Sequence, residues 1–402
     1  MRRWLQQHLK QWFITPSSGV HFDVADGLRG MAILMVVACH GLYINTAGSK
    51  LSIQLHSVIA QGWLGVHIFF VLSAFLLSLP FFRGRERDPD FWYHPGYTIR
   101  RALKILPPLY LSIIVLVLFR FWYDHGTQAL ELGIVWATGI AHFVYYPQIF
   151  NSVLWSLWVE IGFYVALPLL FLALRRRNVR VTGWVLFAIL LLVPTITRRL
   201  TWPNPIKPEE WFFIASRFPS SLDTFAWGVL FSSFYVSMSR EPERWRHLAR
   251  LGYAGLGLVC LAGVAAHFTM SNDRLPRPGD LDLIHLLSGS GGCLLLFFIF
   301  DPACLGSRIF ASPALRFLGI VSFEWFLIHQ LAQGYFRTWM VSSHGSFFRY
   351  CFTVATPTLL SLAVATGVYY KFSLPIMRWG RNRFKQPETP ARQSVPPKEV
   401  VR

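Results

Sequence analysis

The stretch Asp26-Gly27-Leu28-Arg29-Gly30-Met31-Ala32-Ile33-Leu34-Met35-Val36-Val37-Ala38-Cys39-His40 sets one arginine and one histidine into an otherwise apolar run. With its flank to residue 45 the run is long enough to cross a bilayer, and it reads as a transmembrane helix. Eleven residues separate Arg29 from His40. At about 100° per residue this is about 1100°, three turns plus roughly 20°, so both side chains share one face about 16 Å apart. Ionisable groups held at such depth are costly and mark pathways or reaction sites. The pair therefore points to chemistry inside a helical bundle.

The rest of the chain agrees with this class. Of its 402 residues 53% are hydrophobic, 16% aromatic and only 14% charged, and the mean hydropathy is +0.41. Soluble domains carry roughly 25% charge. Apolar runs occupy 28–45, 62–82, 106–123, 153–174, 181–197, 220–238, 251–270, 284–300, 316–340 and 351–372. The expected fold is all-α, a polytopic membrane bundle of about ten transmembrane helices. Residues 1–27, opening on Met1-Arg2-Arg3-Trp4, read as an amphipathic cytoplasmic segment and 28–380 as the membrane domain. Residues 381–402 read as a disordered basic tail. No cleavable signal is evident, and no stretch suits an appended soluble domain with a second activity.

The net charge of +18 does not indicate nucleic acid, because the basic residues sit in short loops beside apolar spans. Four clusters belong on the cytoplasmic side. They are Arg83/Arg85/Arg87 with Arg100/Arg101/Lys104, then Arg175-Arg176-Arg177, Arg240/Arg244/Arg246/Arg250 and Arg378/Arg381/Arg383/Lys385. They share one side only if the run 129–146, broken by Gly133, Gly139 and His142, does not cross fully. This gives ten spans with both termini cytoplasmic and an outer-face excursion over 124–152, re-entrant where protein buries its backbone. Arg29 then lies near the cytoplasmic surface and His40 toward the outer half. No internal repeat of the inverted-transporter kind is visible. The five cysteines, Cys39, Cys260, Cys293, Cys304 and Cys351, show no metal-ligand spacing and read as small hydrophobes, so neither a metal nor a tightly bound cofactor is expected.

Several motifs add polar groups to the apolar spans. Phe69-Phe70-Val71-Leu72-Ser73-Ala74-Phe75 holds one hydroxyl, read either as helix packing or as part of a reaction cavity. Tyr97-Thr98-Ile99-Arg100-Arg101-Ala102-Leu103-Lys104 precedes Pro107-Pro108. Its cations suit a phosphate at the cytoplasmic mouth, or lipid headgroups as a topology anchor. In Leu154-Trp155-Ser156-Leu157-Trp158-Val159-Glu160-Ile161-Gly162-Phe163-Tyr164, the residues Ser156, Glu160 and Tyr164 follow i, i+4, i+8. Glu160 reads as a functional carboxylate that orients an imidazole or binds substrate, with a structural partner for a buried arginine as the alternative. Ser322-Phe323-Glu324-Trp325-Phe326-Leu327-Ile328-His329 brings in a second intramembrane imidazole. Asp223 and Arg217 are candidates for an ion pair. The rings Trp122, Tyr123, Trp136, Phe143, Tyr145, Tyr146, Trp155 and Trp158 form an interfacial belt that would also suit sugar faces.

Taken in order, these motifs resemble the acyltransferase-3 family of integral membrane O-acyltransferases. The matching residues are Leu28-Arg29-Gly30 through His40, Phe69-Phe70 with Ser73 and Phe75, Arg101 with Lys104-Ile105 and Pro107 to Tyr110, Trp155-Ser156-Leu157 with Glu160 and Phe163-Tyr164, and Ser322 through His329. Ala74, Lys104 and Ser373 depart from the family pattern, and a lysine at 104 keeps the charge but not the guanidinium fork.

The resemblance implies a cytoplasmic acyl-CoA donor, an acceptor hydroxyl often presented on the far side, and an essential histidine and arginine at His40 and Arg29. On this reading Arg29, Arg100, Arg101 and Lys104 bind the CoA phosphates. His40 is the general base, with Glu160 beside it as the second catalytic residue. Ser73, Trp155, Ser156, Tyr164 and His329 line the substrate, with Ser73, Trp155 or His329 as oxyanion donors and an acyl-enzyme route left open. The expected function is transfer of an acyl group, foremost acetyl, to a glycan or other carbohydrate-containing acceptor at a bacterial inner membrane, among membrane lipids. A glycosylated small molecule such as a macrolide is the alternative acceptor, and a glycolipid transporter or flippase the alternative class.

Overall fold

The computed structural model describes residues 22–41, 57–93, 95–124, 128–140, 151–203, 210–271, 275–340 and 347–384. The expectations for residues 1–21, the tail from 385, and His142, Phe143, Tyr145 and Tyr146 lie outside them. In hydrocarbon a backbone must satisfy its own hydrogen bonds, so the apolar runs become helices. The principal ones are α1 (Asp23–Gly41), α2 (Gly65–Arg87), α3 (Pro95–Asp124), α4 (Gln128–Ala137), α5 (Leu154–Ala173), α6 (Val179–Thr201) and α7 (Asp223–Met238). After them come α8 (Leu251–Ser271), α9 (Pro278–Leu295), α10 (Pro313–Ile320), α11 (Ser322–Met340), α12 (Phe347–Val368) and α13 (Leu374–Arg383). Among the described residues there is no strand. The protein is a multi-pass membrane helical bundle.

Among the described residues eight helices are long and apolar enough to cross a membrane, and a ninth span results if α10 and the described part of α11, bent by 75°, are taken together. The tenth expected run, 220–238, is α7. Its 16 residues rise only about 24 Å, short of a 30 Å hydrocarbon core, yet it is buried on nearly every side by α2, α6 and α9. The 10-residue α4 rises about 15 Å, too short to cross by itself, and residues 141–150 of the expected excursion lie outside the described ones.

Where α2, α5 and α7 meet, aromatic rings fill the core. Phe225 of α7 stacks on Phe70 of α2 at 4.5 Å and meets Phe163 of α5 at 4.5 Å. On its other side α1 packs closely against α10. A Cβ on Gly30 would stand 2.0 Å from the Leu315 carbonyl oxygen, and one on Gly319 would stand 1.8 Å from that of Asp26. Backbone cannot yield to either. Gly30→Ala is expected to lower stability by about 1–3 kcal/mol, the usual penalty of overpacking. Thermal inactivation in nanodiscs measures it, and an unchanged midpoint would contradict the close approach.

Two arginines serve the frame. Arg85, read from sequence as a loop anchor, is buried at 3% exposure. It donates to the Phe171 and Leu174 carbonyls at 2.6 and 2.7 Å and so caps the C-terminal end of α5. Arg198 of α6 is fully buried, donating to Asp223 at 2.7 Å and to Asp282 and the Ser220 carbonyl. Asp223 also accepts from His285 Nδ1 at 2.8 Å. The expected pairing of Asp223 with Arg217 is thereby corrected. Arg217 lies over the Phe213 ring, 5.4 Å from its centroid, while the carboxylate faces inward to α6 and α9. An inward carboxylate needs a buried cation, and Arg198 supplies it.

Candidate active site

His40 stands near the end of α1 and is partly accessible, whereas His329 of α11 is fully buried. Their ring centroids are 5.1 Å apart, and His329 Nε2 lies 3.1 Å from His40 Nδ1. Each ring is also tied to its own helix one turn back. His40 Nδ1 lies 3.0 Å from the Val36 carbonyl, and His329 Nδ1 lies 3.0 Å from the Trp325 carbonyl. One turn along the seam, Gln333 Nε2 donates to the Val37 carbonyl at 3.1 Å, so α1 and α11 run antiparallel here. The start of α5 joins the same place, because Asn151 Nδ2 donates to the Leu327 carbonyl at 3.1 Å and Gln330 Nε2 to Ser152 Oγ at 2.5 Å.

Toward the other end of α1, Arg29 is partly buried, and its Nε has no hydrogen-bond partner among the described residues. Lys104 feels the charges of Arg29 and Arg101 on one hand, and of Glu160 and Glu324 on the other. Four helices, α1, α3, α5 and α11, thus deliver three cations and two carboxylates to one region, and α2 adds the hydroxyl of Ser73. Ser73 Oγ and Tyr164 OH both donate to Glu160 Oε1, at 2.7 and 2.5 Å.

Phenylalanines join the two regions. The Arg29 guanidinium lies 6.0 Å from the centroid of the Phe69 ring, Phe69 meets Phe326 edge-on at 6.2 Å, and Phe326 is 5.9 Å from His329. An apolar wall therefore runs from the cations to the imidazoles.

The sequence-selected residues fall into two groups and a remainder. His40 and His329 come together, as do Arg29, Arg101, Lys104, Ser73, Glu160 and Tyr164. Glu160 was expected to orient an imidazole. Its contacts are instead with Ser73 and Tyr164, and the imidazole partner of His40 is His329. Arg100 Nη1 turns toward the Phe384 carbonyl at 3.5 Å, against the C-terminal end of α13. Ser156 donates to its own helix at Val153, 2.9 Å away. Trp155 is half-buried between Phe70 and Phe212, at 6.0 and 5.9 Å.

Two further residues belong to the cationic region. Tyr97 is buried beside Arg101 and Glu160, and its spacing of four from Arg101 and seven from Lys104 was a legible helix-face signal. Glu324 is 3% exposed next to Ser373, in the five-residue π-turn Tyr369–Ser373 between α12 and α13. Such turns often re-aim side chains at functional sites. No periodicity in sequence announces one.

The chain that carries these residues is similar to known proteins. Peptidoglycan O-acetyltransferase OatA of Listeria monocytogenes is 25% identical over 333 residues, covering 76% of this chain and 48% of the Listeria protein. Acyltransferase MdmB of Streptomyces mycarofaciens is 25% identical over 365 residues, covering 82% of this chain and 87% of that protein. The chain thus spans about half the length of the Listeria relative it matches. No solved structure matches it. The acyltransferase domain family matches residues 23–368, from the first residue of α1 to the last of α12 and across both the cationic and the histidine groups, and the chain belongs to this acyltransferase-3 family.

Proposed function

We propose that this protein transfers an acetyl group from cytoplasmic acetyl-CoA to a hydroxyl of a carbohydrate-containing acceptor, within a bacterial inner membrane. One observation carries the reading: a cationic group at one end of α1 is linked by the Phe69–Phe326 wall to an imidazole pair at the other. The phosphates of the donor suit Arg29, Arg101 and Lys104, since a guanidinium fork matches phosphate and a partly buried cation binds it without full competition from water. Glu160, fixed by two hydroxyl donors, sets the balance of charge beside Lys104 and Arg101. The uncharged arm of the donor then follows the phenylalanine wall toward His40.

His40 takes the proton of the acceptor hydroxyl as its oxygen attacks the thioester carbonyl. The new C–O bond forms, the C–S bond breaks, and the proton passes to the sulfur to give an ester and free thiol. Trp155, half-buried in the first turn of α5, is the candidate donor to the developing oxyanion. The Ser73 hydroxyl hydrogen is committed to Glu160. A carbohydrate acceptor is favoured by the peptidoglycan named for the Listeria relative and by the exposed ring of Phe212 beside Trp155, at 42% exposure.

Purified protein in nanodiscs, given acetyl-labelled acetyl-CoA and glycan fragments, is expected to release free thiol and to place alkali-labile label on the glycan. Uptake of a glycolipid without consumption of acetyl-CoA would support a transporter instead.

A further inference from the structure

The hydrogen bonds of the imidazole pair settle which nitrogen of each ring carries hydrogen. Resting on the assignment of His40 as base, we propose that His329 is a positioning residue that, together with the Val36 carbonyl, holds His40 in its reactive tautomer and steadies the charge it gains during transfer. The argument starts at Trp325, whose carbonyl only accepts, so His329 Nδ1, 3.0 Å away, carries a hydrogen. A neutral His329 then has its lone pair on Nε2, and this faces His40 Nδ1 at 3.1 Å. Two lone pairs cannot face each other at that distance. His40 Nδ1 therefore carries its hydrogen too, shared between His329 Nε2 and the Val36 carbonyl at 3.0 Å. Among the described residues nothing bonds the lone pair on His40 Nε2, on the one ring of the pair with accessible surface.

This arrangement redefines His329. Both of its nitrogens are committed, one as donor and one as acceptor, so a neutral His329 has no hydrogen left for an oxyanion. Its work is on the far side of His40. When the acceptor hydroxyl gives its proton to His40 Nε2, the positive charge is shared along the His40 Nδ1–H to His329 Nε2 hydrogen bond. The added proton stays on His40, because His329 is fully buried and burial disfavours a charged ring. As the C–S bond breaks, Nε2 gives its hydrogen to sulfur.

The test compares His329→Ala, His329→Gln, His40→Ala and the His40→Ala/His329→Ala double variant in nanodiscs, each shown to bind acetyl-CoA. His329→Ala is expected to lose roughly 10- to 100-fold in kcat, the loss typical when the group orienting a histidine is removed, with KM for acetyl-CoA unchanged. His329→Gln, whose amide oxygen still accepts from His40 Nδ1, is expected to recover part of that loss. The double variant is expected to be no slower than His40→Ala alone, because both residues act in one step. Histidine-¹⁵N spectra are expected to show His40 with hydrogen on Nδ1 in the parent and a mixture of tautomers in His329→Ala. Full kcat in His329→Ala, losses that multiply in the double variant, or an unchanged His40 tautomer would each overturn the proposal while leaving His40 as base. Full activity in His40→Ala would overturn both.

Discussion

His40→Ala is expected to abolish acetyl transfer, lowering kcat by about 10²–10⁴-fold, the contribution of a positioned general base. The protein should still insert, fold and bind acetyl-CoA. His40 lies near the end of α1, and its ring is held by one carbonyl of its own helix and one neighbouring imidazole. Its loss removes a proton acceptor from the reaction but leaves the Gln333–Val37 tie between α1 and α11 in place. Steady-state kinetics of purified variant in nanodiscs decide the matter. Parental turnover would show that the proton goes elsewhere, and the base assignment would be abandoned.

Arg29→Ala carries the second large effect, on binding of the donor. A hydrogen bond to a charged group contributes about 1.5–3 kcal/mol, so KM for acetyl-CoA is expected to rise roughly 10- to 100-fold. The Nε of Arg29 has no partner among the described residues, and Arg29 shares its region with Lys104, so its removal also leaves Glu160 and Glu324 facing one cation fewer. Arg29→Lys should recover only part of the affinity, since an ammonium cannot grip phosphate with two parallel hydrogen bonds. Arg100→Ala provides the contrast. That guanidinium turns toward Phe384, and its loss is expected to raise KM far less. Equal effects at Arg29 and Arg100 would place the phosphates elsewhere.

The all-α membrane class followed from composition and from the length of the apolar runs, which act locally and need no knowledge of neighbours. The expectation that 129–146 does not cross rested on something different, the arginine clusters that belong on one side of the short loops. Helical periodicity was sufficient to unite Arg101 with Lys104 and Glu160 with Tyr164, residues three or four apart on single helices. It gave no access to partners from different helices. Nothing in sequence spacing joins His40 to His329, or Asp223 to Arg198, since those pairings depend on how helices pack. Ser156 shows a local alternative. Its place in the i, i+4, i+8 stripe marked it as functional, but a serine in hydrocarbon can satisfy itself on the carbonyl three residues back. The same local freedom is closed to Arg85, whose long fork reaches the carbonyls of another helix.

The seam between α1 and α11 also bears on how the protein is made. His40 and His329 are 289 residues apart, and the close packing at Gly30 depends on Leu315. α1 therefore enters the bilayer with an arginine and a histidine that its final neighbours have yet to reach. Through most of synthesis His40 stands without the imidazole packed against it. On the roles proposed above, a chain stalled before α11 carries the base but not the residue that positions it.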